Sequence, residues 1–358
     1  MKTDMTMKII HLVSNRVWGG GEQYVLDLAT AFAADGNDVT IVSRNFDAVT
    51  SRFKEAGLPV TTMPLKGTID LVSPFRLAKM LRGAGKTIVH VHNFKDATIA
   101  VRARSISGNK EARIVLTRHL VKPAKSMSLY RRLDAMIFVS HLAKDEFMST
   151  APKVDAAKIT VVHNSIKQAP VTMPSHTGNR QLTLMFHGRL TPEKGIEDII
   201  EALAGIKDKD AHLLIAGSGT AEYVNSLKQL ATELAVEKQI EWLGHKNNIS
   251  PYIAKADIGI CPSRARESFG LSVVEYMAHG KPVITTDNGA QPEYITNGKD
   301  GLLVKPGDTA AITAAIESLR DKEQRTAIGN AARATFEEKL SFPVFCNRIK
   351  EIYEKTLQ

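Results

Sequence analysis

Two successive series of short apolar runs, each alternating with helical segments, constrain the fold of this chain more than any other feature. Apolar runs of this length, bounded by polar or glycine-containing loops, are typical of buried parallel strands. The predicted strands cover residues 8–14, 39–43, 87–92, 113–117, 135–140 and 159–163 in the first series and residues 182–186, 212–216, 240–244, 258–262, 283–286 and 301–304 in the second. Because strands that alternate with helices form right-handed βαβ units, the sequence predicts an α/β protein with parallel sheets.

A segment with linker composition separates the two series. Residues 165–181 contain Pro170, Pro174, Ser175 and Gly178 and show little apolar periodicity. The length of 358 residues also fits two domains. We therefore predict two doubly wound domains, residues 1–168 and 169–340, followed by an amphipathic helix within residues 341–358.

The composition is that of an ordinary globular enzyme, with 43% hydrophobic and 24% charged residues. No apolar run approaches the length of a membrane-spanning helix, and the first residues lack the pattern of a secretory signal. Cys261 and Cys346 are too isolated to form a disulfide framework or a zinc site. These features lead us to expect a cytoplasmic protein.

The net charge of +9 favours anionic partners such as nucleotides or phospholipid surfaces. Nucleic acid is not an expected partner, because no dedicated nucleic-acid module is recognisable and the aromatic content is low. Residues 102–132 carry nine lysines or arginines and a single acid, Glu111. This stretch is either a solvated basic face or a surface that meets anionic lipid head groups or a phosphorylated acceptor, which leaves peripheral membrane attachment open.

The segment RESFGLSVVEYMAHGKP, residues 266–282, has the features of a phosphate and sugar site. Glu267 and Glu275 lie eight residues apart, and Phe269, Gly270 and Leu271 between them resemble the start of a helix. A helix start presents unpaired N–H groups and a partial positive charge, so it can hold a phosphate. The two carboxylates could accept hydrogen bonds from sugar hydroxyls on either side. The alternative is an amphipathic helix with two solvated acids.

Two further strand-to-helix junctions fit the same chemistry. In HGRLTPEKG, Arg189 and Lys194 flank Pro192, which suits a first helical position, and two cations could clamp a diphosphate. The alternative is a pair of surface salt bridges. Near the N-terminus, Gly19, Gly20 and Gly21 precede a predicted helix and would let the backbone approach a ligand, although the run is not G-x-G-x-x-G. The alternative there is a flexible turn.

His92 is the last residue of one predicted strand, and His119 lies at the exit of another. Ligands of parallel sheets bind beyond the carboxyl ends of strands, so two histidines at such ends favour a functional role over a structural one. The D-x-D pattern Asp208-Lys209-Asp210 precedes a strand instead, and we interpret it as a polar turn and not as a metal site.

Taken together, the two doubly wound domains, the glycine loop, GRLTPEKG and ESFGLSVVE resemble the GT-B retaining glycosyltransferases of family GT4 over essentially the whole chain. The resemblance implies two Rossmann-like domains that face each other across a cleft, with the last helix crossing back to the first domain. It implies nucleotide-sugar-binding roles for Gly20, Arg189, Lys194, Lys246, Glu267, Phe269, Gly270, Leu271 and Glu275. It implies catalytic roles for His119, Glu267, Arg189 and Lys194, and an acceptor-side or second active-site position for His92 and Gly19.

The activity implied by the resemblance is a metal-independent, retaining transfer of a hexose or N-acetylhexosamine. The donor would be a UDP- or GDP-sugar and the acceptor a glycan or lipid-linked molecule in cell-surface polysaccharide synthesis. No cofactor is expected. The chain departs from the family pattern at His163–Ser165, at Ala290 and at Tyr276, which stands where alanine is usual. A nucleotide-sugar epimerase-like or glycogen-phosphorylase-like enzyme and a non-catalytic sugar-nucleotide binding protein remain as alternatives.

Overall fold

The computed structural model describes residues 6–167, 181–207 and 210–358. They form two compact units, one within Met1–Asn164 and Phe345–Gln358 and the other within Ser165–Val344. Most of the predicted linker, including Pro170 and Pro174, lies outside the described residues, as do Asp208 and Lys209 of the D-x-D pattern. The third residue of that pattern, Asp210, is described and forms an ion pair with Arg320 at 2.6 Å.

The N-terminal unit contains a parallel sheet whose described strands run in the order β3-β2-β1-β4-β5-β6-β7. The strands are β1 (Lys8–Val13), β2 (Asp38–Ser43), β3 (Val60–Thr62), β4 (Thr87–Val91), β5 (Ala112–Arg118), β6 (Ala135–Phe138) and β7 (Ile159–Val161). The helices are α1 (Gly20–Ala34), α2 (Asp47–Glu55), α3 (Ser73–Leu81), α4 (Phe94–Ser107), α5 (Met127–Tyr130) and α6 (His141–Thr150). The sequence prediction missed β3, a three-residue edge strand that is only partly buried and therefore lacks a long apolar run.

The C-terminal unit repeats this plan with a parallel sheet in the order β10-β9-β8-β11-β12-β13. The strands are β8 (Leu182–His187), β9 (Ala211–Ala216), β10 (Ile240–Gly244), β11 (Ile258–Cys261), β12 (Val283–Thr286) and β13 (Leu302–Val304). The helices are α7 (Ile196–Ala204), α8 (Ala221–Glu233), α9 (Ser250–Lys255), α10 (Leu271–Ala278), α11 (Thr309–Ser318) and α12 (Lys322–Thr335). The predicted α/β class, with two doubly wound Rossmann-like domains, is therefore confirmed.

The last helix, α13 (Phe342–Leu357), belongs for most of its length to the N-terminal unit. The hydroxyl of Tyr353 lies 2.5 Å from Nδ1 of His90 in β4. Arg113 in β5 donates a hydrogen bond of 3.1 Å to the carbonyl of Thr356. These contacts attach the helix to two neighbouring strands of the N-terminal sheet.

Two predicted helix boundaries were wrong in detail. Helix α1 begins at Gly20, so Gly20 and Gly21 lie in its first turn and not in a preceding loop. Pro192 opens a 3₁₀ turn, Pro192–Lys194, and α7 begins only after Gly195, whose φ of 67° breaks the helical path. Helix α12 is followed directly by a π-helical turn, Phe336–Leu340.

The core of the C-terminal unit explains how it accommodates Tyr276. Its ring is fully buried, and its hydroxyl donates a 2.8 Å hydrogen bond to the carbonyl of Met185. Gly259 in β11 lies directly against the ring, and a Cβ at this position would overlap it. The missing side chain at Gly259 therefore makes room for the tyrosine.

Candidate nucleotide-sugar site

Helix α10 begins at an open, unblocked end. Gly270 is its N-cap in a left-handed conformation, with φ of 92°, and no described side chain caps the first turn. Glycine adopts this conformation without the strain that a side chain would add. The first N–H groups of the helix, starting at Leu271, can therefore donate to an anion.

Lys194 and Glu267 meet beside this helix. Their side chains form a salt bridge, and each is about one-fifth exposed. Oε1 of Glu267 also accepts a 2.6 Å hydrogen bond from the hydroxyl of Ser263. Both partners fix the orientation of the Glu267 carboxylate, and Lys194 brings a positive charge to the same place.

Backbone contacts explain why the lysine from HGRLTPEKG reaches the glutamate segment. The carbonyl of Glu193 accepts hydrogen bonds from the amides of Arg264 and Ala265, at 2.9 and 3.2 Å. Gly195 packs so tightly that a Cβ there would overlap the carbonyl of Pro262. The 3₁₀ turn that carries Lys194 is thereby fastened to the loop that carries Glu267.

Glu275 lies opposite His187, a histidine at the end of β8. Nε2 of His187 is 3.2 Å from Oε2 of Glu275, although no described residue makes an aligned hydrogen bond to Nε2. Burial raises the pKa of Glu275 to about 7 and lowers that of His187 to about 4. The hydroxyl of Ser272 donates to the carbonyl of His187 at 3.1 Å, which joins β8 to the first turn of α10.

Lys194, Glu267 and Glu275 have one electrostatic neighbour in common, the thiol of Cys261. This thiol is buried, and burial raises its pKa. The structure therefore brings together three of the residues predicted for the site, together with Gly270 and Leu271.

Other predicted donor-site residues are placed differently. Arg189 is 75% exposed, and its nearest described acid is Glu193 at 4.0 Å, so in this structure it lies free of the two predicted glutamates. The ammonium group of Lys246 lies 5.2 Å from the centre of the Tyr252 ring. Phe269 is buried, and its carbonyl accepts a 2.6 Å hydrogen bond from Tyr294.

In the N-terminal unit, the two predicted histidines lie side by side. Nδ1 of His92 is 3.3 Å from Nε2 of His119, and Nε2 of His92 is 3.2 Å from Nδ1 of His11. The register of β1, β4 and β5 explains this arrangement, because His11 pairs with His90 and alternate residues share one face of a sheet. Burial lowers the pKa of His119 to about 4 and that of His11 to about 3.

The glycines at the start of α1 lie close to a buried acid, Glu22. Glu22 is buried in the first turn of the helix and accepts a hydrogen bond from the amide of Asn15. A Cβ at Gly19 would lie 3.4 Å from the Glu22 carboxylate. Gly19 is the N-cap of α1 and Gly20 its first residue.

Three histidines of this unit have the spacing of metal ligands. A nitrogen from each of His11, His90 and His92 lies within 4.8 Å of the others. Both ring nitrogens of His90, however, already face hydroxyls, of Tyr353 at 2.5 Å and of Thr117 at 2.7 Å. Hydrogen bonds therefore account for this cluster without an ion.

Three residues of these clusters were not predicted from the sequence: His11, His187 and Ser263. His11 is the one histidine inside the apolar run 8–14, and His187 directly follows the predicted strand 182–186. These two positions could have been identified from the sequence, because an ionisable residue within or at the end of a buried strand is unusual. Ser263 carried no comparable signal, since its role depends on the fold of two separate loops.

Comparisons with known proteins identify similar sequences over both units. The sequence model described as "Glycosyl transferases group 1" matches residues 174–335, and that described as "Glycosyltransferase Family 4" matches residues 18–168. N-acetyl-alpha-D-glucosaminyl L-malate synthase of Bacillus anthracis is 29% identical over 311 residues, 81% of this chain and 80% of that protein. Phosphatidyl-myo-inositol mannosyltransferase of Mycobacterium leprae is 27% identical over 361 positions, 94% of this chain and 93% of that protein.

A solved structure shares the fold. The structure of Anabaena HepE in complex with UDP and glucose matches with a TM-score of 0.80 and 22% identity, over 96% of this chain and 98% of that chain. The two family matches together span both domains, and the fold is GT-B. The chain therefore belongs to glycosyltransferase family 4, the glycosyl transferases group 1, and acts as a glycosyltransferase on a nucleotide-sugar donor.

Proposed function

We propose that this enzyme transfers a hexose or N-acetylhexosamine from a UDP- or GDP-sugar, with retention of anomeric configuration and without a metal. The acceptor in this proposal is a glycan or a lipid-linked molecule of cell-surface polysaccharide synthesis. The single observation that supports it best is the cluster of Lys194, Glu267 and Glu275 around the open start of α10.

Each part of this cluster fits one part of a nucleotide-sugar. The diphosphate would accept hydrogen bonds from the Leu271 amide and from Lys194, which also balances its charge. Glu267, already oriented by Lys194 and Ser263, would accept hydrogen bonds from the hydroxyls of the donor sugar. Glu275 would accept those of the ribose, and Arg189 would turn from solvent to reach the diphosphate.

The proposed reaction breaks the bond between the anomeric carbon and the diphosphate oxygen. Negative charge then grows on the leaving phosphate, where Lys194 and the helix start stabilise it. The acceptor oxygen bonds to the same face of the anomeric carbon, and its proton passes to the departing phosphate. In this proposal His119 contacts the donor sugar near the reacting carbon, and these fixed positive groups perform the charge stabilisation that a metal performs elsewhere.

The class of donor and acceptor in this proposal draws on the similar proteins. The Bacillus anthracis relative is named for an N-acetylglucosaminyl product and the Anabaena structure contains UDP and glucose. The Mycobacterium leprae relative is named for a lipid acceptor, phosphatidyl-myo-inositol. These names support a hexose or N-acetylhexosamine as the transferred sugar, and the Mycobacterium leprae name supports a lipid-linked acceptor.

A ligand screen followed by a transfer assay tests the proposal. UDP-, GDP- and ADP-sugars are each added to the purified protein, and a donor that binds the folded state raises its melting temperature. The donor that binds is then incubated with candidate acceptors, and the anomeric configuration of the product is determined by NMR. We expect a UDP- or GDP-sugar to bind and the product to keep the configuration of the donor; inversion would refute the mechanism.

The same assay separates the two alternatives. An epimerase-like enzyme would convert the bound nucleotide-sugar into its epimer without an acceptor. A non-catalytic binding protein would stabilise on addition of donor and form no product with any acceptor. The family assignment favours transfer over both.

We also propose peripheral attachment to a membrane, through an apolar ridge in the N-terminal unit. The ridge consists of Ile69, Leu71, Val72 and Phe75, which lie just before and within the start of α3 and are 78%, 76%, 53% and 62% exposed. Exposed apolar side chains in such a cluster mark a contact site for a partner or a membrane. No helix among the described residues is long and apolar enough to span a bilayer.

Basic groups beside the ridge favour an anionic bilayer as its partner. A cavity of about 510 Å³ is lined by Leu71 and Phe75 of the ridge and also by Arg102 and Arg132. By contrast, Arg104 of the basic stretch is paired with Asp134, at 2.5 Å. Arg104 is therefore left out of the surface we propose, and the basic residues beside the ridge are those we propose to meet lipid phosphates.

Vesicle sedimentation tests this attachment. The wild type should sediment with vesicles of phosphatidylglycerol, sediment weakly with phosphatidylcholine, and be released by salt. Replacement of Leu71 and Phe75 by serine should abolish sedimentation, whereas Val17→Ser, which alters an apolar residue of similar exposure outside the cavity, should not. Sedimentation independent of anionic lipid, or unchanged in the double variant, would contradict the proposal.

A further inference from the structure

The imidazole rings of His11, His92 and His119 form a line of contacts that runs from β1 to the carboxyl ends of β4 and β5. His11 is fully buried in β1, His92 follows β4, and His119 follows β5 and is partly exposed. The contacts are 3.2 Å from Nδ1 of His11 to Nε2 of His92, and 3.3 Å from Nδ1 of His92 to Nε2 of His119. The line thus uses both nitrogens of His92 and a single nitrogen of each other ring.

Aromatic neighbours hold the rings in this line. The edge of Tyr24 packs against His119 with the ring centres 4.8 Å apart and the planes at 79°. His11 and His92 are stacked at 5.5 Å, and His92 and His119 at 5.6 Å. Packing on several sides leaves little freedom for any ring to turn over and exchange its two nitrogens.

All three rings are neutral at neutral pH, because burial lowers each of their pKa values. A neutral imidazole has one N–H donor and one bare acceptor nitrogen. Each contact in the line needs a donor on one side and an acceptor on the other. The tautomer of one ring therefore determines the tautomers of the other two.

The inner end of the line determines its direction. Nε2 of His11 is buried and has no hydrogen-bond partner among the described residues. A buried N–H without a partner is rarer in proteins than a buried acceptor without one. The proton of His11 accordingly lies on Nδ1, which donates to His92; His92 in turn donates from Nδ1 to His119.

We infer that His119 is held in the Nδ1–H tautomer and presents this N–H as a hydrogen-bond donor to an oxygen of the ligand. His11 and His92 are positioning residues, since they act through His119. The inference rests on the proposed function for the identity of the ligand, an oxygen of the donor sugar. The direction of the line itself follows from the free protein alone.

Nitrogen NMR of the free enzyme tests the direction. In protein labelled with ¹⁵N-histidine, the His119 signals are assigned with a His119→Gln variant, and the shifts of its two nitrogens identify which one carries the proton. We expect a protonated Nδ1 and a bare Nε2 at pH 7. A protonated Nε2 on His119 would overturn the inference, whatever the enzyme's substrate proves to be.

Variants test the role of the inner rings. His92→Phe keeps an aromatic ring but breaks the line, so His119 should lose its single tautomer and show both forms. His11→Phe should have a smaller effect of the same kind, and His212→Phe, on the C-terminal unit, should have none. With donor substrate, the loss of one oriented hydrogen bond should lower kcat about tenfold in His92→Phe.

The results of these experiments distinguish a failure of the histidine inference from a failure of the proposed function. A His119 signal that stays in one tautomer in folded His92→Phe would overturn the positioning role. If His92→Phe does not fold, the milder His11→Phe variant and the wild-type spectrum still decide the direction. Absence of glycosyl transfer would refute the proposed function and leave the NMR result on the free enzyme valid.

Discussion

Nε2 of His187 lies 3.2 Å from Oε2 of Glu275, and burial shifts the pKa values of the two groups in opposite senses. The histidine, with a pKa of about 4, is neutral at pH 7, whereas the carboxyl, with a pKa of about 7, is half ionised there. His187 therefore does not neutralise Glu275. The carboxylate is available to a ligand, and its charge depends on pH within the physiological range.

Nucleotide affinity should consequently rise with pH through the pKa of Glu275. The ionised carboxylate accepts hydrogen bonds from both ribose hydroxyls. In the protonated form, which prevails below pH 7, one carboxyl oxygen carries a proton and is a poorer acceptor. We expect the Kd for UDP or GDP, whichever binds, to fall about tenfold from pH 6 to pH 8 in calorimetric titrations. In Glu275→Gln the affinity should be weak and independent of pH; the same pH dependence in both proteins would contradict the role of Glu275.

Removal of the Lys194 ammonium group should abolish most of the activity. Lys194→Ala takes away the charge proposed for the leaving diphosphate and leaves Glu267 without its salt-bridge partner. By analogy with the loss of one preorganised donor, kcat/KM should fall by about 100-fold or more. Lys322→Ala, which alters an exposed lysine of α12, provides the matched control and should retain full activity. Full activity of folded Lys194→Ala would refute the site.

The sequence predicted the two doubly wound domains because their buried strands are continuous apolar runs, which need no tertiary information to recognise. It also predicted a helix start between Glu267 and Glu275, where α10 begins. It did not predict how Lys194 turns toward Glu267, since that depends on the 3₁₀ turn at Pro192 and on backbone contacts with residues 70 positions away. Arg189, assigned by the same motif, instead extends into solvent.

The histidines illustrate a second limit of sequence reasoning. His92 and His119 were predicted as site residues because each lies at the carboxyl end of a predicted strand. His11 lies in the middle of β1, where the pattern gave only a polar interruption of an apolar run. Its contact with His92 becomes visible only once β1 is known to lie beside β4, an order that the linear alternation of elements does not determine.

The match between Gly259 and Tyr276 predicts a coupled effect on stability. Gly259→Ala places a methyl group against the Tyr276 ring and should lower the free energy of unfolding by about 1–3 kcal/mol. In a Tyr276→Ala background the same change should cost little, because the space is already open. Urea unfolding of the two single variants and the double variant measures the coupling. Additive effects would show that the two residues do not interact as described.

Acid should destabilise the N-terminal unit through its buried histidines. Burial lowers the pKa of His11, His90, His92 and His119, so below pH 6.5 the unfolded chain binds protons that the folded unit does not. Asp96, whose pKa burial raises to about 7, acts in the opposite sense but is a single group. Stability should thus be greatest above pH 6.5 and fall toward pH 4, by on the order of 1 kcal/mol per pH unit for each histidine.

Thermal unfolding at closely spaced pH values measures this effect. The His11→Leu variant should show a shallower decline between pH 6.5 and pH 4, because it removes one group that takes up a proton on unfolding. His212→Leu, in the C-terminal unit, is the control for removal of a histidine outside this buried cluster. A wild-type melting temperature that stays constant over this range would show that the histidines are not buried as neutral groups.

The central claim is that the start of α10 and Lys194 hold the diphosphate of the donor, and a crystal structure of the enzyme with bound UDP or GDP tests it most directly. We predict phosphate oxygens within about 3.2 Å of the Leu271 amide and of Nζ of Lys194, with the ribose hydroxyls on Glu275. A nucleotide bound with its phosphates away from both groups would contradict the account.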